Sequence, residues 1–152
     1  MKLWVDGNPG SAGSAIRATI KSQVEGINRQ VVSRGVRVVN ALRNAELEVL
    51  KGKRSGRVYR KPFTKRATYT ASAPGEPPAR RTGNLRMHWN GQVKSGSASG
   101  GGVSIIAELE SQEPYAGALE NGTPRMAPRP FVERIKAKAA PEIKKIYSEP
   151  YT

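Results

Sequence analysis

Cysteine is absent from the 152-residue chain, and histidine occurs once, at His88. Without thiols there is no disulfide framework and no thiolate metal site, and one imidazole builds neither a Cys/His pair nor a histidine-rich metal centre. His88 sits between Met87 and Trp89, which fits a surface or partly packed side chain. Carboxylates are scarce too, 12 against 26 Lys and Arg. A glycosidase-type acid pair would have to come from Glu108, Glu110, Glu113 and Glu120, and Glu108 and Glu110 fall on one face of a strand, as on a solvated surface. The glycine-rich run SGSASGGGVS lacks the Lys and Ser or Thr that follow the glycines of a phosphate-binding loop. No stretch reaches the roughly 18 apolar residues that span a bilayer, and MKLWVDGNPGSAGSAI has no signal-peptide core. The expectation is a soluble, non-enzymatic chain made in the cytoplasm, with no catalytic residue, metal, cofactor or membrane contact.

What the chain has in excess is positive charge, a formal +14, which calls for a polyanionic partner, nucleic acid first among them. The length fits a single domain, 1–152. Within it we place an N-terminal arm over 1–13, a long helix over 14–51, a β-rich body over 52–130 and a C-terminal helix over 131–147. The long helix rests on Ile16, Ile20, Val24, Ile27, Val31, Gly35, Val38, Leu42, Ala45 and Val49, whose steps of three and four share one face. Ser11 or Ser14 starts it and Gly52 stops it. Such a helix outreaches its own domain, so its projecting part needs apolar cover from a neighbouring subunit; two shorter helices folded back on each other are the alternative. Gly26 and Gly35 are the places for a bend.

From Lys51 to Lys94, Lys51, Lys53, Arg54, Arg57, Arg60, Lys61, Lys65, Arg66, Arg80, Arg81, Arg86 and Lys94 face the single carboxylate of Glu76. GRVYRKPF and KRATYTASA alternate β-branched or aromatic residues with basic ones and read as two antiparallel strands, with Pro62 at an edge or turn. In SAPGEPPARRTGNLR, Pro74, Pro77 and Pro78 remove three backbone donors, so 72–81 reads as an extended arm, exposed from Ala73 to Arg81. Thr82 is placed as the N-cap of a short helix carrying Leu85 and Trp89. Strands follow over Gln92–Ser95 and Val103–Glu110, around a Gly/Ser tip too flexible to hold a shape alone. A short helix over Pro114–Glu120 ends at Asn121 and Gly122. The last helix starts near Arg129 or Pro130, with Phe131, Ile135, Ala139, Ile143 and Ile146 on one face and a kink or break at Pro141. The fold class is α+β: a long N-terminal helix, a small antiparallel sheet with hairpins, short helices and a C-terminal helix. Because Val103–Thr123 carries glutamates and no Lys or Arg, an acidic patch on one subunit can meet the basic patch of the next in a ring.

Taken in order, GRVYR, SAPGEPPARRTGNLR and YAGALENGTPRMAPRPF, followed by a C-terminal helix, resemble the neck proteins of long-tailed bacteriophages, the tail-completion or head-tail joining proteins. The resemblance covers roughly 50–147. Asn121 stands where that family more often has an aromatic, and the glycine-rich tip is longer than usual there. It implies an α+β subunit without enzymatic activity that forms a homo-oligomeric ring, six-fold like a tail, at the head-tail junction of the virion. Its partners would be the head-side connector or stopper, the tail terminator or tail-tube proteins, and the packaged DNA in the channel. The residues carried over as subunit-interface candidates are Pro74, Gly75, Pro77, Pro78, Thr82, Leu85, Tyr115, Glu120, Thr123, Arg129 and Phe131. Of these, Leu85 and Phe131 also suit a core, and Glu120 is placed to pair with Arg129. Lys53, Arg54, Arg57, Arg60, Lys65, Arg66, Arg80 and Arg81 are the candidates for facing DNA or an acidic partner. The alternative is a sequence-independent basic DNA-binding protein with no virion role; a hydrolase is third, with no substrate to name.

Overall fold

A computed structural model of the chain describes residues 11–152. Helix α1 (Ser11–Lys51) is continuous through Gly26 and Gly35 and is about 60 Å long at 1.5 Å per residue. It starts at Ser11, so the last three residues of the expected arm are helical; the rest of that arm lies outside the described residues. The body follows as β1 (Val58–Arg60), β2 (Thr68–Thr70), α2 (Asn84–Met87), β3 (Trp89–Ser97), β4 (Val103–Ser111) and α3 (Ala116–Asn121), then α4 (Val132–Ser148). The architecture is α+β. Its β-structure consists of two separate antiparallel pairs, β1–β2 and β3–β4.

The C-terminal half of α1 carries the core. Helix α4 lies antiparallel along it, placing Phe131, Ile135 and Ala139 against Ala45 and Leu50, and Ile146 against Val38 and Ala41. Phe131 and Ile146 are 2% and 1% exposed, and the Trp89 ring meets Phe131 edge-on at 6.1 Å. Hairpin β3–β4 covers another side of α1, closely enough that a Cβ at Gly91 would sit 2.4 Å from Val39 Cγ1 and one at Gly35 2.8 Å from Ile105 Cδ1. The hairpin tip folds into a short 3-10 turn, Ser99–Gly101, and Asn28 Nδ2 donates to the Gly101 carbonyl at 3.1 Å. The tip, not expected to hold a shape alone, therefore has a seat on α1.

Of the two outcomes expected at Pro141, a kink or a break, the break does not occur: helix α4 is continuous through it. Pro141 is exposed, so the carbonyl that loses its donor is on the wet side of the helix, where water can replace it. Helix α2 is a single turn that ends before Trp89, which opens β3; Trp89 reaches back and donates its indole N–H to the Leu85 carbonyl. Gly83, with φ 98°, is the N-cap of α2, and Thr82 sits one residue earlier, its hydroxyl accepting from Asn84 N–H at 3.3 Å.

Candidate functional site

Three surfaces gather the residues singled out in the sequence. The first is hairpin β1–β2, with register Val58↔Thr70, Tyr59↔Tyr69 and Arg60↔Thr68. Tyr59 and Tyr69 stack at 5.9 Å, with the Arg57 guanidinium 5.7 Å from the Tyr59 ring. Arg57, Arg60, Lys65 and Arg66 are exposed. The ion pairs of the described residues use Arg37, Arg43, His88, Lys94 and Lys136, so no carboxylate neutralises this hairpin. At its turn Phe63 adopts φ 60° and is completely exposed, after Pro62 and beside the Thr64 hydroxyl, which donates to the Lys61 carbonyl at 2.9 Å. A bulky side chain in that backbone region costs about 1–2 kcal/mol, and a Pro-initiated turn ordinarily places Gly there. Sequence reasoning had passed over Phe63 as part of a strand; the Pro-aromatic turn between basic residues, KPFTK, is the signal that marks it.

The second surface is the proline segment, which is a strap rather than a free arm. Pro77 and Pro78 are buried, Ala73, Glu76 and Ala79 half-buried, and only Pro74, Gly75, Arg80 and Arg81 exposed. Apolar proline rings gain by leaving water, and the strap's backbone finds donors and acceptors in its own subunit. Glu76 accepts from Ser55 N–H at 3.0 Å, from Ala73 N–H at 2.9 Å and from the Ser55 hydroxyl. Those three donors, the hydroxyl foremost, hold its carboxyl down to about 2. Gly75 N–H donates to the Pro128 carbonyl at 3.2 Å, and Arg134 Nη2 donates to the Gly75 carbonyl at 2.8 Å.

Arg54, expected to face a polyanion, instead turns inward. It donates to the Pro78 carbonyl at 3.2 Å and to the Val49 carbonyl at the end of α1 at 2.8 Å, a cation on the negative pole of the helix. Burial pushes its pKa down from the ordinary arginine value. Lys53 beside it remains exposed.

Under the strap lies a pocket of about 640 Å³ where the two signature segments meet. Pro78, Arg80, Arg81, Thr82 and Leu85 line it from one side, and Tyr115 and Arg129 from the other. No Asp or Glu lines it, and Arg129 Nη1 and Arg86 Nε have no acceptor among the described residues. Leu85 and Phe131 are core residues, which with Pro77 and Pro78 are buried by their own subunit; Tyr115, Thr82 and Thr123 are exposed. Glu120 does not pair with Arg129. Its carboxylate accepts from Phe131 N–H at 2.7 Å and Val132 N–H at 3.1 Å, capping α4 from eleven residues upstream.

The acidic stretch is largely engaged inside the subunit: Glu108 pairs with Lys94 at 2.7 Å, Glu113 pairs with His88, and Glu120 caps α4. Glu110 alone of the four stands exposed without a cation. Glu46 is fully buried and paired with Arg43, which also donates to the Arg86 carbonyl at 3.0 Å. Burial pushes the Glu46 carboxyl up to about 7 against the pull of Arg43 and Arg86.

The third surface is the N-terminal half of α1. Ile16, Ile20 and Ile27 are 60%, 54% and 43% exposed, on the same stripe that is buried further along the helix. Among the described residues no three His, Cys, Asp or Glu are grouped to hold a metal, and no helix is long and apolar enough to cross a membrane. Family models, curated proteins and solved structures give no match to this chain.

Proposed function

We propose that the chain is a structural virion protein of a long-tailed phage, forming a homo-oligomeric ring at the head-tail junction around the DNA channel. The observation that carries the reading is the stripe on α1, whose N-terminal isoleucines are left exposed by the described residues. A helix of about 60 Å that leaves Ile16, Ile20 and Ile27 of its apolar stripe 60%, 54% and 43% exposed is suited to assembly, because full burial of an isoleucine contributes about 1.5–3 kcal/mol and roughly half of that is still to be gained at each. Supporting it is the ordered set of neck-type motifs, whose two signature segments converge on one pocket. In this reading the subunit performs no catalysis. Its exposed cations, Lys53, Arg57, Arg60, Lys65, Arg66, Arg80 and Arg81, face packaged DNA or an acidic neighbour, and its other partners are the head-side connector or stopper and the tail terminator or tube.

The test is negative-stain imaging of the purified chain, alone and mixed with tails lacking heads. Rings, and rings seated on tube ends, are expected; a chain that forms neither contradicts the reading. The uncompensated hairpin favours a second reading, a sequence-independent DNA-binding protein without a virion role. That reading predicts salt-sensitive DNA affinity in a chain that never joins tails.

A further inference from the structure

The β1–β2 hairpin carries more than charge. From Arg57 to Thr68 it holds Arg57, Arg60, Lys61, Lys65 and Arg66, no carboxylate, and at its tip a phenylalanine wholly in water. Two penalties coincide at Phe63, an exposed ring and a backbone at φ 60° where glycine would relax the turn. Among the described residues nothing compensates either one. The turn is nonetheless well defined: Lys61 N–H donates to the Ala67 carbonyl at 2.8 Å, and the stacked tyrosines brace the strands below it.

We infer that Phe63 is a base-stacking wedge and that the β1–β2 hairpin grips DNA by pairing this ring with its flanking cations. The ring presents a flat face to a nucleobase, while the cations contact phosphates on either side of it. The charge distribution selects this occupant over a lipid surface. Cations run from the base of the hairpin at Arg57 along β1 to Arg60 and Lys61 and around the turn to Lys65 and Arg66, just ahead of β2, a series suited to a polyanion, whereas the apolar tip is a single ring with one proline. The inference deepens the DNA-facing part of the proposed function and rests on it, but it does not need the ring.

The experiment uses the full chain, fluorescence anisotropy, a labelled 20-nucleotide oligothymidine and a labelled 20-base-pair blunt duplex, each across a salt series. Phe63→Gly relaxes the turn, so its melting temperature should be no lower than that of the parent. It should nevertheless bind oligothymidine about 5- to 100-fold more weakly, with an unchanged salt slope. Phe63→Trp should restore affinity and show quenching of the added indole on binding. Arg60→Gln combined with Lys65→Gln should instead flatten the salt slope on the single strand by about 1.4, the share of two phosphate contacts. A larger loss on the single strand than on the duplex identifies stacking on unpaired bases, and an equal loss identifies insertion at a duplex step; both support the wedge.

Equal affinity of parent and Phe63→Gly for both DNAs overturns the wedge while leaving the DNA-facing reading intact. Failure of the parent to bind either DNA overturns both. If Phe63→Gly loses only binding to phosphatidylserine vesicles, or only self-association, the ring serves a membrane or a protein and the inference is wrong.

Discussion

Glu76 and Glu46 respond to acid in opposite senses. Glu76 keeps its proton off in the folded chain down to about pH 2, against an ordinary value of 4.5, so its contribution is full above 4.5 and fades as pH falls toward 2. Glu46 takes up its proton near pH 7 in the folded chain, so acidification from 7 to 4.5 favours the folded state through this residue. Thermal melts of Glu76→Gln should lie below the parent at pH 7 and converge with it as pH drops from 4.5 to 2; a gap independent of pH contradicts the role of Glu76. Glu46→Gln should remove part of the stability gained by the parent between pH 7 and 4.5, and an unchanged gradient contradicts the burial account. Neither residue announces itself in the sequence. Glu76 looks like one carboxylate in a basic stretch, and its main donors come from Ser55, twenty-one residues earlier.

At the scale of elements, the periodic pieces were legible and the long-range fastenings were not. The buried face of α4, through Phe131, Ile135, Ala139 and Ile146, follows directly from spacing, as does the stripe on α1. The β1–β2 and β3–β4 hairpins follow from alternation, although β3 begins earlier because Trp89 belongs to the strand. The strap was misread because a proline-rich segment reveals its extended geometry but not the surface it lies on. The cap of α4 was missed for a related reason: the residues just before the helix supply no side-chain cap, and Glu120 reaches in from α3. Arg54→Ala should loosen the strap, lowering stability by about 1–3 kcal/mol through the lost charged hydrogen bonds and exposing the 73–81 segment to limited proteolysis. A protease-resistant, equally stable variant would show that the strap needs no clamp. Phe131→Ala should cost about 3–5 kcal/mol in denaturant unfolding, since the ring fills the junction of α1, α4 and Trp89. A loss below 1 kcal/mol would place the core elsewhere.

Over the whole molecule, α1 divides the work. Its C-terminal half is the spine on which α4 and the β3–β4 hairpin assemble, and its N-terminal half carries the same stripe into solvent. The C-terminal tail strengthens the spine, with Arg37 and Glu149 paired through both guanidinium nitrogens, Arg34 donating to the Pro150 carbonyl at 2.8 Å, and the Tyr151 ring 3.8 Å from the Arg34 guanidinium. Among the described residues, the chain thus covers the C-terminal end of its long helix and leaves Ile16 and Ile20 near the other end exposed. The measurement that tests assembly most directly is sedimentation velocity of the parent chain beside Ile16→Asp combined with Ile20→Asp. The account predicts that the parent sediments as one closed species near six chain masses and that the double variant, still helical by circular dichroism, sediments as a monomer. A parent that stays monomeric at every concentration, or a double variant that assembles like the parent, would contradict it.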